Sequence, residues 1–359
     1  GIDKDSLNYL WAVLARREGR LEEAHQLLLR SEPDTDDPVA WYHLKTKIAD
    51  SLGNSAEAIE AASAMNRSAF ELEVPPADRE EWRRRAAAYR EEQHELARTI
   101  TPSWASKVPL LSEPAPRKVA FLVGFPRSGT TLLDTFLMGH REIVVLEEEQ
   151  LVANAAPGVK IKDLPDMSLD FVKKARARYL RALSERAEDG FAGIVIDKFP
   201  LDMAAAPLIQ AMFPGAPIIF AQRHPCDVVL SGFMQKFGLV NFNSIEDAAD
   251  YYDAMMSIWT ASRETMDLNV QTVVYEDLIN DPEPVLRLVV DFLELEWDKD
   301  LLDHQRTARG RGTISTPSYD QVTEPLSSRF VGRWRRYERQ LAPVLPLLVP
   351  WAERLGYKR

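Results

Sequence analysis

Cysteine is nearly absent. Cys226 is alone among 359 residues, so no disulfide can form within the chain. That excludes a fold stapled by disulfides and favours a reducing compartment. Basic charge is also short, with 44 Lys and Arg against 55 Asp and Glu and a formal net charge of −11. This argues against a general nucleic-acid or anionic-membrane binder, which needs a basic footprint, but does not exclude a local basic pocket for an anionic small molecule. No stretch of about 18 apolar residues suggests a membrane span, and no secretory leader is recognisable, so a cytoplasmic, bacterial-type setting is expected. His140, His224 and His304 lack metal-ligand spacing, and no metal site is expected. What is present, 45% hydrophobic and 28% charged residues, suits a globular chain of about two or three domains.

The most informative absence is a single lysine. Val119–Phe125 is an apolar run with the character of a buried strand, and it leads into Gly124-x-x-x-x-Gly129-Thr130-Thr131. This spacing matches a Walker A phosphate loop, except that Thr130 stands where that loop requires Lys. The glycines, the backbone amides and the start of the following helix can still cradle a phosphate. The ammonium that reaches the β- and γ-phosphates of a nucleoside triphosphate is missing. The loop therefore suits a nucleotide with one 5′-phosphoryl group carrying something else.

Two regions flank a proline-rich stretch. Residues 5–68 repeat weakly with a period of 34, which pairs Leu10 with Leu44, Gly19 with Gly53 and Ala24 with Ala58. Helical patterns at Leu7–Arg17, Leu21–Leu29, Val39–Leu52 and Ser55–Met65 flank the glycines, and a further helix is expected over about 78–98. This resembles tetratricopeptide repeats, whose paired helices stack, and since about three repeats are normally needed, further repeats upstream or packing on the neighbouring domain are expected. An ordinary helical bundle is the alternative. Pro102, Pro109, Pro114 and Pro116 mark a linker. From residue 118 strands and helices alternate, as in an α/β domain with a mainly parallel, P-loop-like sheet flanked by helices. The expected strands are Val119–Phe125, Ile143–Leu146, Ile194–Asp197, Ile218–Gln222 and Gln271–Tyr275, and one helix is expected over Leu201–Met212. The domain reading is 1–100 for the helical repeats with a capping helix, 101–117 for the linker and 118–359 for the α/β domain.

Four segments then converge: Phe125-Pro126-Arg127-Ser128-Gly129-Thr130-Thr131; Asp197-Lys198-Phe199-Pro200; Arg223-His224-Pro225-Cys226-Asp227 through Ser231; and Tyr275-Glu276-Asp277-Leu278. With the tail Ser318-Tyr319-Asp320-Gln321-Val322 and Arg329-Phe330-Val331-Gly332-Arg333-Trp334, they resemble the sulfotransferases that use 3′-phosphoadenosine 5′-phosphosulfate (PAPS). Within that family the resemblance is to chains that join tetratricopeptide repeats to a domain like the tyrosylprotein sulfotransferases.

The resemblance implies transfer of a sulfonate from PAPS to an acceptor hydroxyl, without a metal. Arg127, Ser128, Gly129, Thr130 and Thr131 would hold the 5′-phosphosulfate. Arg223 and Ser231 would grip the 3′-phosphate, as a bidentate guanidinium helped by a hydroxyl can. Family members often carry a basic residue one turn further on, where this chain has Gln235, and Lys236 or Arg333 could compensate. Tyr275, Arg329 and Arg333 would complete the nucleotide site. Lys198 would stabilise the departing bridging oxygen, with Ser318 assisting. The base carried over is Glu148, with Glu147 as the neighbouring register; a carboxylate in a closed, apolar cleft would have its pKa raised enough to take a hydroxyl proton. An acidic cluster opening the next helix is the plainer reading of Glu147–Glu149. For Asp197 and Lys198 it is a strand-end ion pair.

A peptide tyrosine, a small molecule and a carbohydrate are all open as acceptors, and a protein partner could dock on the repeats. The rivals are a P-loop kinase or NTPase, which should keep the lysine, and a non-catalytic repeat scaffold with a vestigial nucleotide fold.

Overall fold

The structure is a computed structural model, and it describes all residues except 1–3, 35, 187–190, 238–239, 311–323 and 359. Two compact units divide the chain: one comprises Gly1–Arg90, His224–Asp253 and Gly332–Arg359, the other Glu91–Arg223 and Ala254–Val331.

The first unit opens with α1 (Lys4–Arg17), α2 (Leu21–Leu28), α3 (Val39–Ser51) and α4 (Ser55–Glu73); the first three lie close to the helices expected from periodicity, and α4 runs past the expected end at Met65 to Glu73. Gly19 and Gly53 both adopt left-handed backbone, with φ of 77° and 80°. The turn chemistry repeats with them: Arg20 N bonds Ala15 O and Ala24 N bonds Arg20 O, while Asn54 N bonds Ala49 O and Ala58 N bonds Asn54 O, each at 2.9 Å. Trp41, Leu44 and Ile48 of α3 share one core with Ala12, Ala15, Ala24 and Leu28 of the first helix pair, the small residues allowing close approach. The later segments of this unit include the helices Pro225–Phe233 and Leu345–Arg354. The Asp50 carboxylate, at the end of α3, takes the guanidinium groups of Arg333 and Arg336 and the Tyr337 hydroxyl.

The second unit is built on a parallel five-stranded sheet in the order β2-β3-β1-β4-β5, where β1 is Val119–Val123, β2 Ile143–Glu147, β3 Ile194–Lys198, β4 Ile218–Gln222 and β5 Val270–Val274. The central strand β1 is apolar throughout, as expected where both faces are covered. Ala120, Leu122, Ile194, Ile196 and Ile219 pack with Leu133, Phe136 and Leu137 of the helix Thr130–Leu137 and with Leu286, Val289 and Val290 of Pro282–Phe292. Phe121 meets Tyr179 and Phe213 through tilted ring contacts.

Two further elements differ from the sequence expectation. The helix expected over Leu201–Met212 is 3₁₀ over Pro200–Ala205 and α only from Ala206, because Pro207 has no N–H and would clash within an uninterrupted α-helix. Tyr275, expected to end β5, instead opens the helix Tyr275–Asn280. Among the described residues no helix is long and apolar enough to cross a membrane.

Candidate active site

All five strands of a parallel sheet present their C-terminal ends on one edge, and ligands bind there, where the strand order reverses direction. Here that edge collects the candidate residues of the second unit: the loop after β1, Glu147 and Glu148 at the end of β2, Lys198 closing β3, Arg223 after β4 and Tyr275 after β5.

The loop is shaped by close backbone approach. At Gly124, a Cβ would lie 2.6 Å from Ala221 O, and at Gly129, where φ is +94°, it would lie 2.5 Å from Tyr275 Cδ2. Arg127 adopts φ of 77°, a strained choice for a residue with a side chain. Its carbonyl is held by Arg223 Nη1 at 3.0 Å. Ser128, Thr130 and Thr131 are buried, and the helix that starts at Thr130 leaves its first amides without intrahelical acceptors.

Arg223 is the second anchor. It is 3% exposed, donates Nη2 to Phe330 O at 2.7 Å, and lies over the Tyr275 ring with its Cζ 4.3 Å from the centroid. Its Nε is buried with no hydrogen-bond partner. A buried guanidinium with an unspent donor fits an anion, because leaving it unmet costs free energy. Tyr275 thus supports the arginine from one side and fills the space beside Gly129.

The third group centres on Lys198, which is 0% exposed. Its Nζ lies 3.1 Å from Glu148 Oε1, 3.4 Å from Asp134 Oδ2 and 3.5 Å from Glu147 Oε2. Burial alone would push the lysine pKa down, but the three carboxylates outweigh it and raise the value above the ordinary one. Lys198 O also accepts from Glu148 N at 2.8 Å, fixing the two chain segments together. Among the described residues no closed apolar cleft surrounds Glu148, contrary to the sequence expectation: its side chain is 47% exposed and faces the ammonium. Glu149 turns elsewhere, to Arg186 at 2.7 Å.

Asp197 and Lys198 do not pair with each other. Successive strand residues point to opposite faces, and Asp197 accepts from the Tyr179 hydroxyl at 2.9 Å while burial pushes its pKa up to about 6. Cys226 has its thiol pushed up to about 12, chiefly by burial, which keeps it protonated.

The remaining candidates are Arg329, Ser231, Arg333 and Ser318. Arg329 is exposed and bonds Glu324. Ser231 and Arg333 belong to the first unit, Ser231 buried on the helix Pro225–Phe233 and Arg333 paired with Asp50 at 3.1 Å. In that unit the Asp227 carboxylate takes the Gly332 and Trp334 amides at 2.7 Å each, fastening the Gly332–Trp334 turn. Gln235 bonds His43, which burial and nearby cations, Lys47 foremost, keep neutral with a pKa of about 4. Ser318 lies outside the described residues. Asp134 was missed by sequence reasoning, although one acidic residue inside the apolar helix TTLLDTFL was a visible signal.

Residues 120–299, just over half of the chain, match the sulfotransferase family. An uncharacterized protein of Aquifex aeolicus is 29% identical over 72% of this chain, which spans 36% of that protein. Protein-tyrosine sulfotransferase A of Caenorhabditis elegans is 24% identical over 66% of each chain. Among solved structures, the sulfotransferase domain from the Synechococcus PCC 7002 olefin synthase superposes with a TM-score of 0.45 at 21% identity, over 63% of this chain and 90% of that one; likeness at that level transfers nothing about activity. The family match alone is sufficient, and this chain belongs to the sulfotransferase family.

Proposed function

We propose that this protein transfers a sulfonate from PAPS to an acceptor hydroxyl. The observation that carries this is where the lysine comes from. The phosphate loop lacks its own lysine, and one ammonium, that of Lys198, stands at the same sheet edge on the neighbouring strand, with Leu122 of β1 and Lys198 of β3 in register. An ammonium offered from the side suits a bridging oxygen that gains charge as a bond breaks.

In this reading the acceptor hydroxyl gives its proton to Glu148 and its oxygen attacks the sulfur. The bond from sulfur to the 5′-phosphate oxygen breaks in line, and its electron pair leaves with adenosine 3′,5′-bisphosphate. Lys198 meets the charge on that oxygen, and Arg127, Ser128, Thr130, Thr131 and the loop amides hold the phosphosulfate. Arg223 and Ser231 take the 3′-phosphate, Tyr275, Arg329 and Arg333 complete the nucleotide site, and Ser318 assists Lys198 at the bridging oxygen. Such electrostatic arrangements supply most of the rate in comparable transfers. A peptide tyrosine is the acceptor favoured by the relatives' names, with a small molecule or carbohydrate hydroxyl as the alternative. The N-terminal helices read as tetratricopeptide-like repeats over residues 1–100 that receive a protein partner, joined through 101–117 to the transferase region 118–359.

Calorimetric titration with adenosine 3′,5′-bisphosphate and with Mg-ATP tests the donor. Preference for the bisphosphate is expected; preference for ATP, or binding of neither, would sink the reading. For the base, Glu148→Gln should lower kcat by about 10²–10⁴-fold with little change in the KM for the donor. If Glu147→Gln carries that loss instead, the role belongs to Glu147.

A further inference from the structure

We infer that Asp134 is the positioning residue for Lys198: a permanent internal counter-ion that aims the ammonium at the leaving oxygen while the two glutamates are free to let go. The inference rests on the sulfonate-transfer reading and adds a residue that no motif of the sequence singles out.

The three carboxylates around Lys198 are unequal. Glu148 and Glu147 have side chains 47% and 26% exposed, whereas that of Asp134 is 0% exposed, like that of Lys198. An exposed carboxylate can turn to solvent or to a substrate at small cost. A buried one cannot leave its cation, because an unpaired charge in the interior costs several kcal/mol per ion. Lys198 can therefore exchange Glu148 for the bridging oxygen without losing its anchor. The exchange is required by the proposed chemistry, since Glu148 must take a proton from the acceptor while Lys198 serves the leaving group.

Covalent geometry reinforces the point. Asp134 lies one turn beyond Thr130 on the helix whose N-terminus closes the phosphate loop. Thr135 Oγ1, which donates to Thr131 O at 2.6 Å, lies 3.2 Å from the Asp134 Oδ1 atom. One rigid helix thus sets both the loop that holds the phosphosulfate and the carboxylate that holds the lysine. A small error in the distance between these two would misplace the ammonium against the bond that breaks.

The test uses the full chain and Asp134→Asn, which keeps the side-chain shape and removes the charge. The expected loss in kcat is about 10²-fold, the scale of a misplacement of roughly 1 Å. The KM for PAPS should change far less than kcat. The alkaline limb of the kcat profile should move down by about 1 pH unit or more, because a lysine deprived of a neighbouring carboxylate loses its proton more easily. A residue that only filled space would not move that limb. In a Lys198→Met background the same substitution should change kcat by no more than about 2-fold, since the two residues act as one unit.

Thermal melts complete the cycle. Lys198→Met should melt lower than Lys198→Met/Asp134→Asn, which buries neither charge, and this comparison stands even if Asp134→Asn alone does not fold. Parent-like kcat and an unmoved pH profile in Asp134→Asn would overturn the inference. So would an undiminished loss in the Lys198→Met background, or additive melting shifts. If the parent chain binds adenosine 3′,5′-bisphosphate and transfers sulfonate while these outcomes occur, the positioning role alone fails. If the parent does neither, the sulfotransferase reading fails first.

Discussion

Replacing Lys198 with Met is expected to lower kcat by about 10²–10³-fold, the usual cost of removing one preorganised donor from a site of developing charge. The donor KM should move much less, because the loop and Arg223 hold the nucleotide independently of the bridging oxygen. Stability should fall as well. The substitution leaves Asp134 fully buried with its cation gone, and breaking a buried pair on one side costs about 3–5 kcal/mol. The melt should therefore shift down at neutral pH and recover as the pH is lowered and Asp134 takes a proton. Steady-state kinetics with PAPS and thermal melts across pH measure both. A variant that keeps its parent kcat would remove Lys198 from the chemistry, whatever its melting behaviour.

For Arg223→Ala the affinity for adenosine 3′,5′-bisphosphate should drop by about 10–150-fold, which corresponds to roughly 1.5–3 kcal/mol for a hydrogen bond to a charged group. Affinity for AMP, which lacks the 3′-phosphate, should drop less. The ratio of the two affinities isolates the 3′-phosphate contact from damage to the loop. Such damage is expected too, since Arg223 holds Arg127 O at 3.0 Å and Phe330 O at 2.7 Å. Arg223→Lys should not rescue the ratio, because an ammonium cannot reproduce a planar fork of donors. Calorimetry with both nucleotides decides the matter. Equal losses for the two would make Arg223 a brace of the loop and move 3′-phosphate recognition elsewhere.

The strands were legible to within a residue or two because a buried parallel strand must be apolar on both faces, and few local patterns do that. The all-apolar Val119–Val123 is the example. The glycines of the loop were legible for a different reason: their spacing encodes a turn that a side chain would block, as the 2.5 Å approach at Gly129 makes concrete. Pro207 cannot sit in the interior of an α-helix, and the expected helix is 3₁₀ in its first half. The extended reading of Tyr275 failed because an aromatic residue fits a strand end and a helix start equally well. Only the packing against Gly129 and Arg223 chooses.

The phosphosulfate donor entered only through the resemblance of the motifs to a family; by itself the sequence determined a parallel α/β sheet and a phosphate loop without lysine. These are properties of local spacing and periodicity, and the chain carries them without folding. Tertiary structure decided which charges meet. Asp134, Glu147, Glu148 and Lys198 come from a helix and two strand ends far apart in sequence, and nothing in their local patterns links them. The same holds for Asp50 with Arg333 and Tyr337. Coulomb interactions depend on distance and on exclusion of water, and both are set by the packed interior. Sequence order does not carry that information.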